Sequence, residues 1–237
     1  MLLGHGTFDG SEAKFNLRDE DVSGRELGEW LKPFSRPIAV IACSSASAPL
    51  MRDLAGDGRV IITATRSGSE VQFSRFGDFL SAAINDPTAD LDKDGQTSLL
   101  EAFLAASNRV EAFYKQDGRL ATEHALLDDN GDKLGVSADW FQGIRATRAA
   151  QDGAPIDGPR AHQWCLAPSA VDQSMSPADR ARRDELELQI EALRAKKSAM
   201  TPDEYYAQLE PMLIELARLY VKQPAAKTTT RPGSTAR

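Results

Sequence analysis

The apolar positions of this 237-residue chain recur with different periods along its length, and each period predicts a different kind of element. Two unbroken runs, Ile38-Ala39-Val40-Ile41-Ala42-Cys43 and Val60-Ile61-Ile62-Thr63-Ala64, are rich in β-branched residues. Runs of this length predict strands buried on both faces, as in parallel sheets. A shorter piece, Leu2-Leu3, stops at Gly4-His5-Gly6. After Ser23, a residue suited to capping, Leu27, Trp30 and Leu31 recur at helical spacing and stop before Pro33. This strand, helix, strand order implies a parallel sheet with right-handed crossovers, its strands at 1–4, 37–42 and 59–64. Three strands make a thin sheet, which a segment before residue 1 or a partner chain would complete.

Helical spacing returns in Phe76, Phe79, Leu80 and Ile84, predicting a helix over 73–84, and in Leu100, Phe103, Leu104, Val110 and Phe113, predicting one over 97–116. Between the first strand and Ser23 the chain is polar; Lys14-Phe15-Asn16-Leu17 alternates and reads as a minor hairpin in a loop. Ala121 to Leu127 reads as a short helical or irregular piece, with His124 packed or at the surface. From 147 to 175 the composition turns to Gly, Pro, Asp and Ser, a linker or strap with one sticky spot, Trp164-Cys165-Leu166. Ser176-Pro177 and Thr201-Pro202 then cap two amphipathic helices. Leu186, Ile190 and Leu193 form one apolar face and Leu209, Met212, Leu213, Leu216 and Tyr220 the other, so residues 176–222 read as an antiparallel helical hairpin offering a surface for a partner or a second copy. Residues 223–237 are poor in apolar groups and read as disordered. The remaining division, 1–146, is the α/β domain.

Composition narrows the classes. With 41% hydrophobic and 27% charged residues the chain is an ordinary globular sequence, and a net charge of −7 argues against nucleic acid as a partner. No run of about twenty apolar residues is present to span a membrane, and the first residues lack the basic start and apolar core of a secretory signal.

The candidate chemistry lies where the first two strands end. Cys43 stands at the carboxyl end of its strand, the edge at which open α/β sheets collect catalytic groups, and a helix beginning within Ser44 to Leu54 would point its amino terminus at the sulfur and acidify it. His5, at the end of the neighbouring strand, would take the thiol proton, and the N–H groups of Gly6 and Cys43 would bind a developing oxyanion. The plainer reading makes Cys43 a small buried hydrophobe and His5 a surface residue. His5-Gly6-Thr7 and, 38 residues after the histidine, Ala42-Cys43-Ser44-Ser45-Ala46-Ser47 resemble the His-Gly and Ala-Cys-x-Ser-Gly-Ser motifs of legumain and its caspase-like relatives. Thr63-Ala64-Thr65-Arg66-Ser67-Gly68-Ser69-Glu70 resembles that family's next strand and pocket loop. The resemblance covers roughly residues 1–86, more faintly to 135. Ala46 replaces the family's usual glycine, and the family fold places a strand and helix before the histidine strand, where this sequence has none.

The resemblance implies a caspase-like three-layer α/β fold with a mainly parallel sheet, its amino-terminal strand lying before this sequence, and a cysteine endopeptidase acting on a protein or peptide substrate. Cys43 would be the nucleophile, His5 the base and acid, Gly6 an oxyanion donor, and Arg66, Ser67 and Glu70 would shape the substrate pocket. The opposing class is an inactive or truncated peptidase-like module that binds another protein. The cysteine reading also predicts that Cys43 and Cys165 stay unpaired.

Asp90-Leu91-Asp92-Lys93-Asp94-Gly95-Gln96-Thr97-Ser98-Leu99-Leu100-Glu101 matches an EF-hand loop, with acids at positions one, three, five and twelve and glycine at six. A calcium ion there would take Asp90, Asp92, Asp94, Ser98 and Glu101, with the Gln96 carbonyl. Ser98-x-x-Glu101 is equally a capping box for the helix that follows. Asp128-Asp129-Asn130-Gly131-Asp132 lacks a closing glutamate at the same spacing and reads as a solvated turn.

Overall fold

The computed structural model describes residues 1–221, so the tail expected to be disordered lies outside the described residues. The chain divides into two compact units, the first Met1–Ala167 and the second starting at Pro168.

The first unit is a mixed α/β layer structure. It opens with β1 (Leu2–Gly4) and a small antiparallel sheet of β2 (Gly6–Phe8), β3 (Ala13–Phe15) and β4 (Val22–Ser23), the expected hairpin with one strand more. Helix α1 (Gly24–Leu31) follows, its start fixed by a capping box in which Ser23 and Glu26 satisfy each other's backbone N–H. Then come β5 (Ile38–Ser44), the short α2 (Leu50–Leu54), β6 (Arg59–Thr63), α3 (Phe76–Ala83), α4 (Leu99–Gln116) and β7 (Leu126–Asp128).

The main sheet has the order β1-β5-β6-β7. The pairs β1–β5 and β5–β6 are parallel, as the apolar runs imply. Against expectation, residues 126–128 form a strand, pairing antiparallel with β6 through Ile61↔Asp128 and Ile62↔Leu127. Leu127 is fully buried, and the sheet supplies the partner that a three-residue apolar piece lacks on its own. Both faces of the sheet are covered. Ile41, Cys43, Val60 and Ile62 pack with Phe76, Leu80, Leu100 and Phe103 of α3 and α4; Ala42 and Ile61 pack with Leu50, Met51 and Leu54 of α2, and Leu27 and Leu31 of α1.

The segment expected to be a linker from 147 is instead part of this unit as far as Ala167. It follows a short ribbon, β8 (Phe141–Gln142) with β9 (Arg145–Ala146), and contains α5 (Pro159–His162). Asp157 and Ala161 are fully buried in it, and Trp164 docks on the core, its carbonyl accepting from Leu99 N–H at 2.6 Å.

The second unit holds α6 (Ala170–Ser174) and the expected helices, α7 (Pro177–Ala195) and α8 (Pro202–Val221). Ser176 accepts from Asp179 N–H, and Arg182 makes a two-pronged contact with Glu215 at 2.7 and 2.8 Å. The inner row of α8 is Tyr205, Leu209, Met212, Leu216 and Leu219 at three- and four-residue steps. Leu213 and Tyr220 fall one position off that row and are 45% and 43% exposed, not inward as the sequence pattern suggested. Among the described residues no helix is long and apolar enough to cross a membrane.

Candidate functional site

Parallel pairing of β1 with β5 puts Leu3 beside Cys43 and Gly4 beside Ser44, so Cys43 near the end of β5 and His5 just after β1 fall at the carboxyl edge of neighbouring strands. The serine-rich stretch after Cys43 does not turn into a helix at once. Ser47 Oγ accepts from the N–H groups of Ala64 and Thr65, Ala48 N–H donates to Thr65 Oγ1, and Ala46 N–H donates to the Glu70 carbonyl. These bonds tie residues 46–48 to the end of β6 and the loop beyond it. Helix α2 therefore begins only at Leu50, after Pro49, and is too short and too far along the chain to act on the sulfur.

The acidified thiol expected from that helix is absent. Cys43 is 4% exposed, and burial pushes its thiol up to about 12, with the Asp78 and Glu123 carboxylates adding to the effect against the opposing chain amino group. Gly77 of α3 covers it: a Cβ at that position would lie 2.9 Å from Cys43 Cβ and 3.3 Å from Sγ, so only glycine allows the approach. His5 is exposed and packs edge-on against Phe73, ring centroids 6.2 Å apart, with no hydrogen bond to Cys43. The oxyanion role expected of Gly6 is also not met, since its N–H donates to Ser45 Oγ at 3.1 Å and that hydroxyl donates back to the Gly6 carbonyl at 3.0 Å. The two cysteines are not joined in a disulfide.

The expected pocket residues share the edge but face one another. Arg66 N–H donates to Glu70 Oε2 at 2.9 Å, and the Arg66 guanidinium pairs with Glu70 Oε1 at 3.4 Å. Glu70 is held further by His124 Nδ1 at 2.6 Å, a partner not evident in sequence because it arrives on the approach to β7. Ser67 bonds to Ser69 at 2.8 Å. Glu123, 2% exposed, caps α3 through Ser74 Oγ and the N–H groups of Arg75 and Phe76. A cleft of about 340 Å³ between Arg25, Glu29, Lys32, Asp53, Asp57 and Arg59 lies at the other end of the sheet, where β6 begins.

The 90–101 loop leads straight into the capped start of α4. The capping box forms: Ser98 Oγ accepts from Glu101 N–H, and Glu101 Oε2 accepts from Ser98 N–H and Oγ. The Ser98 hydroxyl is thereby turned to the helix start and away from the ligand role expected of it. Glu101 also reaches into the loop, its Oε1 accepting from Leu91 N–H at 2.7 Å. Asp90, Asp92 and Asp94 each bring a carboxylate oxygen within 4.8 Å of the others, and Asp92 forms a similar group with Glu101 and His162. Asp90 Oδ1 is buried with no partner. Burial, with Asp92 and Glu101 nearby, raises the Asp94 carboxyl above its ordinary range. His162, from α5, contacts Asp92 Oδ2 at 3.0 Å and was not legible as a neighbour in sequence.

The 128–132 stretch is not a solvated turn. Asp128 is 0% and Asp129 4% exposed. Asp129 caps the α5 segment through the N–H groups of Gly158 and Ala161, and Asp157 answers by accepting from Asp129 and Asn130 N–H. Burial beside Asp129 and Asp128 pushes the Asp157 carboxyl up to about 8 and raises Asp128 and Asp129 as well.

No protein-family model, curated protein or solved structure matches the chain.

Proposed function

We propose that this chain is a caspase-like cysteine peptidase domain, similar to the legumain group, in which Cys43 attacks the peptide carbonyl and His5 moves the proton, here with its sulfur covered. The observation that carries this reading is the β1–β5 register, which delivers a histidine and a cysteine to one edge from adjacent parallel strands. A second supports it: Ala46, at the position where the resembled family has glycine, adopts φ +49, a conformation that glycine takes without strain. In the proposed reaction the thiol proton passes to the imidazole and sulfur bonds to the carbonyl carbon. The imidazolium then protonates the departing amine, and water cleaves the thioester. This requires α3 to lift Gly77 from the sulfur, because the covered thiol holds its proton.

Calcium fits the 90–101 loop, on the strength of the orphaned Asp90 Oδ1 and the gathered carboxylates. Asp90, Asp92, Asp94 and Glu101 would hold it with the Gln96 carbonyl. The ion would neutralise the loop and take no part in bond cleavage.

One observation favours the non-catalytic module instead, the burial of Cys43 under Gly77. Hydrolysis of a fluorogenic peptide library by the full chain separates the two. The peptidase reading expects cleavage that Cys43→Ala and His5→Ala each abolish with circular dichroism unchanged. No cleavage in calcium or in chelator supports the module, and cleavage that survives Cys43→Ala overturns Cys43 as the nucleophile.

A further inference from the structure

The two acidic loops, unlike in sequence at their closing positions, carry the same bonds at the same steps. In the first, Gly95 N–H donates to Asp90 Oδ2, Asp94 N–H to Asp92 Oδ1 and Gln96 N–H to Asp94 Oδ1. In the second, Lys133 N–H donates to Asp128 Oδ2 at 2.8 Å, Asp132 N–H to Asn130 Oδ1 at 2.7 Å and Leu134 N–H to Asp132 Oδ1 at 2.8 Å. Steps four and six are left-handed in both, Lys93 and Gly95 at φ +63 and +86, Gly131 and Lys133 at +83 and +70.

The closing carboxylate is the decisive part. In the first loop Glu101 Oε1 takes the N–H groups of Leu91 and Asp92, steps two and three. In the second, Asp157 Oδ1 takes those of Asp129 and Asn130, again steps two and three, at 2.9 and 3.2 Å. Asp157 thus stands over its loop as Glu101 does, although it comes from 27 residues beyond the loop's third step. It is 0% exposed, and its second oxygen, Oδ2, is buried with no partner; Asp132 Oδ2 is likewise buried and unpartnered. A buried carboxylate oxygen without a partner is a group that a hard cation satisfies. Asp129 stands at step two, outside the alternating ligand positions, and its two oxygens accept from the N–H groups of Gly158 and Ala161.

We propose that residues 128–134 and Asp157 form a second calcium site, with carboxylate oxygens from Asp128, Asp132 and Asp157, the Asn130 amide oxygen and the Leu134 carbonyl as ligands. The site does not depend on the peptidase reading. It joins the two loops through one segment, since Asp157 closes the second and His162, five residues on, touches Asp92 of the first.

Calorimetric titration of the full, chelator-treated chain with calcium chloride tests the site. Wild type should bind two ions per chain. Asp157→Asn should bind one, because asparagine keeps the acceptor for Asp129 and Asn130 N–H and removes the charge. Glu101→Gln should lose the other ion and keep this one. Asp132→Asn, which preserves the acceptor for Leu134 N–H, is the second probe should Asp157→Asn fail to fold, and it too should bind one ion. The proposal is overturned if wild type binds no ion, if it binds a single ion lost in Glu101→Gln, or if either second-loop variant that folds still binds two.

Discussion

Alkylation of Cys43 is where the covered site makes its sharpest forecast. The thiolate is the reactive species, and a thiol near 12 is ionised at pH 8 to about one part in 10⁴, against about a tenth for a thiol at its ordinary value of 9.0. Iodoacetamide should therefore modify native Cys43 roughly 10³-fold more slowly than the same cysteine in the unfolded chain. Burial under Gly77 slows it further. Peptide mapping by mass spectrometry after timed quenching, native beside denatured, gives both rates. Between pH 7 and 10 the native rate should climb about tenfold per unit with no plateau, because the whole range lies below the titration. A native rate within a fewfold of the denatured one, or a plateau below pH 8, would mean a thiolate already formed and would refute the covered site. Cys165, half-exposed, should react first.

Thermal melts in calcium and in chelator should differ, since an ion held at a hundred times its dissociation constant adds about 2.7 kcal/mol per site; Glu101→Gln should lose the first loop's share while keeping its capping box, and equal melts for wild type would exclude both ions. Above pH 9 the folded chain keeps a Cys43 proton that the unfolded chain releases, so stability should fall by about 1.4 kcal/mol per unit up to pH 12 from this group alone. Denaturant melts of Cys43→Ala should show that much less alkaline loss, and parallel curves would count against the burial argument. Ala46→Gly relieves a left-handed alanine, a gain of about 1–2 kcal/mol that exceeds the roughly 0.4–1 kcal/mol entropy cost of the added freedom. Its melting temperature should hold or rise, and a clear fall would show that the alanine methyl matters more.

The sequence read best where local pattern and tertiary role coincide. Val40-Ile41 and Ile61-Ile62 can hardly be anything but inner strands, and Ser23, Ser98, Ser176 and Thr201 carry their caps in their own neighbourhoods. Leu126 and Leu127 are too few to show a period, so only pairing with β6 makes them a strand. Charge state was less legible than position. Cys43 sits at the strand end as read, but its environment depends on Gly77, 34 residues on, and on the Ser47 and Thr65 bonds that delay α2. The second acidic loop was hidden for the same reason. Its closing carboxylate, Asp157, is brought by a fold that no spacing rule encodes.

The catalytic claim is tested most directly by a peptidyl acyloxymethyl ketone library, whose members carry both a substrate-like chain and a thiol trap. Binding energy from the peptide can drive the opening that a small reagent cannot, so Cys43 should be labelled faster by the best library member than by iodoacetamide, and the adduct should map to Cys43 and require His5. A folded chain that reacts only at Cys165, or at Cys43 equally well with His5→Ala, would contradict the peptidase account.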